Sequence, residues 1–376
     1  MRLEVEAAAV APGGMLAPSQ PGFEIAGLPK WSAAIRAMRS GVRDARLLVV
    51  GDSVAQGYGA VAGGWTPAGR QAAWPRRLAQ AMTNKGLAAS ADSLAGAGAG
   101  DLATGGYGAY DPRVTLGEGW SVTTLTSLGG KLFTTPDWGT QALAFQPESP
   151  VDRFDLYAVC NTVLGQIAVE TDGVVRAVID TAKAAALERR TVAFPETTGP
   201  ILIRRQSGGA IFVAGGAAWR SEQRRVQVTN AGWGGSKAAD WVATDQPYRA
   251  WGALPTVQAD LTIIAVGIND WNAGVAAATY RTQMGALIDR ALISGDVLLM
   301  SGPPSDPAQG KASYATQAAI TAAGAQAASE RGLAAPIDGA VLFGGGFASA
   351  LMSDPVHPNA AGQALIAEAV RARVMI

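Results

Sequence analysis

At Leu47-Leu48-Val49-Val50-Gly51-Asp52-Ser53, four consecutive apolar residues run directly into the turn-forming sequence Gly-Asp-Ser. An unbroken apolar run of this length predicts a strand that is buried on both faces, as in a parallel sheet covered by helices. Open α/β sheets place their reactive groups just beyond the carboxyl ends of such strands. We therefore expect Ser53 to present its hydroxyl at that edge of a sheet.

Strand and helix patterns alternate along both ends of the chain. Further strands are predicted at 225–229, 261–266 and 296–301, and helices at 31–43, 74–85, 237–242, 275–292, 314–331 and 359–374. Strands that alternate with helices through short links form parallel sheets with helices on both faces. The predicted core is therefore a three-layer α/β/α domain with a parallel sheet.

Residues 110–222 have a different pattern, in which Thr, Val and aromatic residues alternate between Gly and Pro breaks. Short strands separated by frequent turns predict an antiparallel β-sandwich. This inserted domain would divide the α/β domain into the segments 31–109 and 223–376. Residues 1–30 are rich in Pro, Gly and Ala, and they are predicted to form an irregular N-terminal arm that is either packed or disordered.

The composition disfavours several classes of function. Thirty basic residues balance 30 acidic ones, so the chain has no net charge that would attract nucleic acid or an anionic membrane. With one histidine, one cysteine and no clustered carboxylates, we expect neither a metal site nor a cofactor. No apolar run approaches the length of a membrane span, and the acidic start of the chain lacks the apolar core of a secretory signal. A cytoplasmic, an otherwise exported and a virion-associated location all remain open.

Four loops at predicted strand ends or in the last turn carry polar residues that suit serine chemistry, namely 51–53, 230–235, 267–270 and 354–357. A hydrolytic serine needs a base that takes its proton and a group that orients the base. Ser53 is the candidate nucleophile and His357, the only histidine, is the candidate base. Asp354 lies three residues before His357 in a turn constrained by prolines, and it can hold the imidazole in the required tautomer.

The same loops offer donors for an oxyanion hole. The candidates are the backbone N–H of Ser53, the backbone N–H of Gly235 and the side-chain amide of Asn269. Gly234 stays open as an alternative to Gly235, because both lie in the same glycine-rich turn. Asp270 is expected to hold the loop of Asn269 by hydrogen bonds.

These four loops, in this order, resemble the sequence blocks of the SGNH (GDSL) hydrolase family, which centre on Ser, Gly, Asn and His. The resemblance covers roughly 45–65 and 225–376, and it implies a three-layer α/β/α fold and a serine esterase that uses the residues named above. The long insertion between the first and second blocks departs from the simplest members. It resembles, in architecture only, the carbohydrate-binding-like β-sandwich modules of polysaccharide-directed SGNH esterases.

We therefore expect an esterase that removes O-acetyl groups from a carbohydrate polymer through an acyl-enzyme. Four aromatic residues in loops near the predicted site are candidates for substrate binding, because flat rings suit sugar faces: Trp65, Tyr107, Trp233 and Trp271. Each could instead be a core residue. The alternatives are a lipase or thioesterase, an acetyltransferase with the same triad, or a structural or adhesive glycan-binding component of a virus-like particle, such as a spike or fibre in a larger assembly.

Overall fold

A computed structural model describes residues 24–62, 64–96, 106–306 and 316–375. Most of the predicted arm at 1–30 therefore lies outside the described residues. At its described end, Ile25 and Leu28 are buried in the core of the α/β domain. No helix of the described ranges is long and apolar enough to cross a membrane.

The strand that precedes Ser53 lies at the centre of a five-stranded parallel sheet. The order is β16-β15-β1-β14-β2. The bounds are β1 (Ala45–Gly51), β2 (Ala89–Ser90), β14 (Val226–Gly232), β15 (Leu261–Ala265) and β16 (Asp296–Leu299). Gly51 is in register with Gly232 on one side and Ala265 on the other. The loops that follow these three strands therefore meet at one edge of the sheet.

Both faces of this sheet are covered, which confirms the predicted three-layer core. Leu48 and Val50 belong to one hydrophobic cluster, whereas Leu47 and Val49 belong to another, as the alternation of side chains along a strand requires. Helices α1 (Pro29–Arg39), α4 (Trp74–Asn84) and α12 (Ala360–Val374) contribute to the cluster of Leu47. The cluster of Leu48 is covered by α6 (Ala238–Trp241), α7 (Ala250–Val257), α9 (Ala277–Leu292) and α10 (Gln317–Ser329).

The remaining helices are short and lie in loops around the sheet. They are α2 (Ser53–Gln56), α3 (Pro67–Ala72), α5 (Tyr107–Tyr110), α8 (Ile268–Asn272) and α11 (Gly339–Leu342). A 3₁₀ turn at Ser349–Leu351 precedes the last helix. Two of the short helices, α2 and α8, begin directly at the carboxyl edge of the sheet, where they continue from the ends of β1 and β15.

Two antiparallel sheets form the inserted domain, as predicted. One has the order β10-β9-β12-β7-β4 and the other the order β11-β8-β13-β6-β5. Their bounds are β4 (Val114–Leu116), β5 (Ser121–Ser127), β6 (Gly130–Thr135), β7 (Ala142–Phe145), β8 (Val151–Cys160), β9 (Gly165–Thr171), β10 (Val174–Asp180), β11 (Ala186–Thr197), β12 (Ile201–Gly208) and β13 (Ile211–Trp219). Phe133 and Phe154 from one sheet share a buried cluster with Phe145 and Ile203 from the other. The two sheets thus pack face to face as a sandwich.

The two domains are joined by strand pairing and by buried ion pairs. Strand β3 (Ser93–Ala95) pairs with β13 of the sandwich, although it lies before the predicted boundary at 110. Arg113 donates hydrogen bonds to Asp111 at 2.8 and 3.0 Å, to Asp92 at 3.0 Å and to the carbonyl of Ser93 at 2.9 Å. These groups are buried, so the charges at the junction are compensated by hydrogen bonds within the protein.

Candidate active site

Ser53 begins α2 immediately after β1, at the carboxyl edge of the parallel sheet. The Asp52 side chain caps this helix by accepting the N–H of Val54 at 2.9 Å. Gly51 is needed before the turn, since a Cβ there would lie 2.5 Å from the Cβ of Ala55. The turn directs the Ser53 hydroxyl toward His357, with Oγ 2.9 Å from Nε2 of the imidazole.

His357 lies in the turn that leads into α12. Its Nδ1 is 2.8 Å from Oδ2 and 3.0 Å from Oδ1 of Asp354. A proton on Nδ1 that is bonded to this carboxylate leaves Nε2 free to accept the Ser53 hydroxyl. The structure therefore brings the three predicted catalytic residues together in the order hydroxyl, imidazole, carboxylate.

Asp354 is held in an ionised state by its surroundings. Burial by itself would raise the pKa of this carboxyl, but the N–H groups of Val356 and His357 donate to Oδ1 at 2.8 and 2.7 Å. These bonds, together with the imidazole, outweigh the burial and lower the pKa below its ordinary value. The carboxylate can therefore orient the imidazole and stabilise the imidazolium that forms during catalysis.

The buried side-chain amide of Gln363 connects α12, the helix after His357, with the segment that follows Ser53. Gln363 on α12 donates from Nε2 to the carbonyl of Val54 at 3.1 Å, and its Oε1 accepts the N–H of Trp74 at 2.9 Å. The sequence interpretation missed this residue. The sequence feature that indicates its burial is the helical spacing, which places Gln363 on the same buried face as Ile366 and Val370.

The geometry separates the two glycines that the sequence left open. The N–H of Gly234 donates to Oε1 of Gln56 at 2.9 Å and is therefore occupied. Gly235 has φ +78°, and both glycines line the cavity beside Ser53. Asn269 uses Nδ2 to bond the carbonyl of Ser236 at 3.0 Å, which leaves its second amide hydrogen for a ligand. Ser53, Gly235 and Asn269 therefore stay the predicted donors, and of the two glycines Gly234 has its N–H engaged by Gln56.

Two carboxyl groups are buried beneath this site. The two carboxylate oxygens of Asp270 accept the N–H of Ala238 at 3.1 and 3.2 Å. Asp270 therefore holds the segment 236–238, whose Ser236 carbonyl accepts the hydrogen bond from Asn269. Burial raises the pKa of Asp270 to about 6. It raises the pKa of Asp52 to about 7, with a further contribution from the negative charge of Asp270. These groups act as structural supports of the nucleophile and oxyanion loops.

A cavity of about 540 Å³ opens over Ser53 and His357. Trp65 and Trp271 line it, as expected for two of the four candidate aromatics. Tyr58 also lines it, with its ring centroid 4.5 Å from that of the imidazole. The sequence interpretation missed Tyr58, because its contact with His357 joins opposite ends of the chain.

The other two candidate aromatics do not line this cavity. Tyr107 is buried in the sandwich cluster, where its ring centroid lies 5.0 Å from that of Phe133. Trp233 packs against Trp241, with centroids 5.9 Å apart. The prediction of substrate binding by Tyr107 and Trp233 is therefore corrected, since both rings serve packing. Within the described ranges, no three His, Cys, Asp or Glu side chains come together as metal ligands.

The fold and the site define a serine hydrolase of the SGNH class. A model of the GDSL-like lipase/acylhydrolase family matches residues 207–365. The fold is similar to that of a peptidoglycan O-acetylesterase with a TM-score of 0.68 and 16% sequence identity, covering 93% of this chain and 95% of that one. The chain thus contains a segment that matches this hydrolase family, and its fold, with the inserted β-domain, is similar to that of the esterase along nearly its whole length.

Two further solved structures are similar over a smaller part of the chain. An acetylxylan esterase from Geobacillus stearothermophilus is 18% identical, covering 40% of this chain and 73% of that one, with a TM-score of 0.33. A carbohydrate acetylesterase from Sinorhizobium meliloti is 18% identical, covering 40% of this chain and 78% of that one, with a TM-score of 0.31. No curated protein matches the sequence.

Proposed function

We propose that this protein removes O-acetyl groups from a carbohydrate polymer through an acyl-enzyme on Ser53. The observation that carries the proposal is the line of hydrogen bonds from the Ser53 hydroxyl through the imidazole of His357 to Asp354 inside one cavity. Such a line activates a hydroxyl without a metal ion or cofactor. A serine hydrolase site of this kind is compatible with several esters, so the substrate is inferred from the residues that line the cavity and from the similarity of the fold.

In the acylation step, Nε2 of His357 takes the hydroxyl proton while Oγ of Ser53 attacks the carbonyl carbon of the ester. The carbonyl oxygen becomes an oxyanion, which the N–H groups of Ser53 and Gly235 and the amide of Asn269 stabilise. Collapse of this tetrahedral intermediate breaks the bond to the alcohol. The imidazolium returns its proton to the departing alkoxide, and the acetyl group stays on Ser53.

In the deacylation step, a water molecule replaces the alcohol. His357 takes a proton from this water as its oxygen attacks the acetyl carbonyl, and the same donors bind the second oxyanion. When the bond to Oγ breaks, the proton passes from the imidazolium to Ser53 and acetate is released. If a second sugar hydroxyl took the place of water, the same residues would perform acetyl transfer.

Two observations support a carbohydrate as the alcohol part of the ester. Trp65 and Trp271 line the cavity, and aromatic faces are well suited to the apolar faces of sugar rings. The cavity, at about 540 Å³, has room for more than an acetyl group. In addition, a solved structure whose fold is similar over 93% of this chain is that of a peptidoglycan O-acetylesterase.

The decisive experiment combines a simple ester with polymers. The wild type should release p-nitrophenol from p-nitrophenyl acetate and acetate from at least one of a panel of O-acetylated polysaccharides, with acetylated peptidoglycan and acetylated xylan included. Ser53→Ala and His357→Ala should each abolish both reactions. Ser40→Ala, which changes an exposed serine at the end of α1, is the matched control and should retain both.

The panel also separates the alternatives. A lipase or thioesterase would prefer longer acyl chains in a series of nitrophenyl esters, whereas a polysaccharide deacetylase should lose rate beyond acetyl. An acetyltransferase would move acetyl to an added sugar acceptor faster than to water. The adhesive, particle-borne alternative stays a prediction, and full activity of a freely diffusing monomer would argue against it.

A further inference from the structure

Aromatic side chains form a continuous series of contacts from the inserted domain to the catalytic cavity. Tyr110 stands in the middle of this series, at the end of α5, just before the first strand of the sandwich. The ring centroids are separated by 5.0 Å for Phe133 and Tyr107, 5.9 Å for Tyr107 and Tyr110, 5.8 Å for Tyr110 and Trp65, and 4.8 Å for Trp65 and Tyr58. The inserted domain therefore touches the cavity wall through packed rings.

The hydroxyl of Tyr110 reaches the helix that begins with Ser53. It donates a buried hydrogen bond of 2.8 Å to the carbonyl oxygen of Gln56, the last residue of α2. Because α2 ends at Gly57, which has φ +83°, the carbonyls of its last turn need partners from outside the helix. Tyr110 supplies one of these partners. Both side chains are nearly inaccessible, with Tyr110 6% and Gln56 5% exposed.

The side chain of Gln56 continues the connection to the oxyanion loop. Its Oε1 accepts the N–H of Gly234 at 2.9 Å, and the next residue is Gly235. A shift of Gln56 would therefore move the turn that aims the N–H of Gly235 at the substrate. Since oxyanion donors act only at short range, a displacement of a few tenths of an ångström is enough to weaken them.

We propose that Tyr110 is a positioning residue for the oxyanion hole, acting through Gln56 and Gly234. The inference rests on the proposed roles of Ser53 and Gly235, and it gives the inserted domain a part in catalysis beyond any contact with the polymer. Tyr110 touches no reacting atom. It fixes the end of α2, and through α2 it fixes the oxyanion turn.

The structure offers a second connection from Tyr110, through the rings of Trp65 and Tyr58 to the imidazole of His357. The two connections predict different kinetics. Displacement of the imidazole would change the pH dependence of kcat, because His357 is the base. Displacement of the oxyanion turn lowers kcat by the same factor at every pH and leaves the pH dependence unchanged. Our proposal therefore requires that kcat falls by the same factor at every pH.

The test uses one conservative change at two neighbouring tyrosines. Tyr110→Phe removes the hydroxyl that bonds Gln56 and keeps the ring. Tyr107→Phe is the matched control, since Tyr107 is on the same helix and equally buried, at 6% exposed, and its hydroxyl makes only a long bond of 3.4 Å to Gly96. With p-nitrophenyl acetate, kcat should fall roughly tenfold or more in Tyr110→Phe, with KM and the pH dependence unchanged. It should stay at the wild-type value in Tyr107→Phe.

A double-mutant cycle with Gln56→Met tests the route. Gln56→Met removes the acceptor of the Gly234 N–H at similar volume, so it should lower kcat by itself, and adding Tyr110→Phe should then have little further effect. Each kcat is calculated per folded molecule, with the folded fraction measured by urea unfolding. Wild-type kcat in folded Tyr110→Phe, an equal loss in Tyr107→Phe, or fully additive effects in the cycle would each overturn the proposal. An inactive wild type would instead contradict the proposed function itself.

Discussion

Oγ of Ser53 and Nε2 of His357 lie 2.9 Å apart although 304 positions separate the two residues in the sequence. The contact exists because β1 is the central strand of the parallel sheet and α12 packs against the same sheet. Gln363 on α12 supports this contact, since its side chain donates a hydrogen bond to the carbonyl of Val54, the residue after Ser53. The whole inserted domain lies between these residues in sequence without interrupting the contact.

Asp354→Asn should disturb the orientation of the His357 imidazole without disturbing folding. The asparagine oxygen can still accept the N–H groups of Val356 and His357, but its amide hydrogens then face Nδ1 of the imidazole. The imidazole would adopt the tautomer with a proton on Nε2, which cannot take the proton of Ser53. We expect kcat on p-nitrophenyl acetate to fall by about 10³-fold or more with little change in thermal stability. A loss below tenfold would show that Asp354 does not orient the base.

The two glycines of the oxyanion turn should respond differently to alanine. Gly235 has φ +78°, where a side chain costs about 1–2 kcal/mol, so Gly235→Ala should distort the turn that presents its N–H. Gly234 has no such φ, and Gly234→Ala keeps the N–H that bonds Gln56. We expect at least a tenfold loss of kcat for Gly235→Ala and a smaller loss for Gly234→Ala. The reverse order, measured with the same ester, would assign the donor to Gly234.

Local sequence patterns were sufficient to predict the parallel sheet and the loops that meet at its edge. The run at 47–50 is apolar at every position because both faces of β1 are buried, and parallel strands with crossover helices bring their carboxyl ends to one edge. Ser53, Asp354 and His357 could be predicted to lie together because each follows or ends an element with a clear pattern, and because the chain offers one histidine.

Contacts between distant side chains could not be predicted in this way. Nothing in the neighbourhood of Tyr58 indicates that its ring lies against His357, and the bond between Gln56 and Gly234 joins residues on two different strand-end loops. The aromatic candidates show the same limit. Trp65 faces the cavity whereas Tyr107 packs in the sandwich, and both follow glycine-rich stretches of sequence.

Arg113→Met should destabilise the junction of the two domains. The guanidinium is 7% exposed and bonds both Asp111 and Asp92. Its removal leaves the buried carboxylate of Asp92 without its cation, whereas Asp111 keeps only Arg70, at 3.3 Å. Breaking a buried pair of this kind costs about 3–5 kcal/mol. Arg371→Met is the control, because Arg371 pairs with the largely exposed Glu368 and should contribute less than about 1 kcal/mol. Equal free energies of unfolding in urea for the two variants would contradict a structural role for the Arg113 cluster.

Asp52→Asn should change how stability depends on pH. In the folded protein, burial raises the pKa of Asp52 from the ordinary 3.8 to about 7. Below 3.8 both the folded and the unfolded chain hold the proton, so the stability from this group is fully present. Between 3.8 and about 7, the unfolded chain releases the proton while the folded chain keeps it, and the free energy of unfolding falls as pH rises. Above that range the loss is complete.

Asparagine in place of Asp52 carries no charge, yet its oxygen can still accept the N–H of Val54 and cap α2. The free energy of unfolding of the variant should therefore not show the decline that Asp52 causes. For a single group, this decline is at most about 1.4 kcal/mol per pH unit. Urea unfolding of the wild type and of Asp52→Asn at pH 4, 6 and 8 measures the difference, which should grow with pH in favour of the variant. A constant difference between the two proteins across these values would mean that Asp52 is ionised in the folded state, and that the turn of Ser53 tolerates a buried charge.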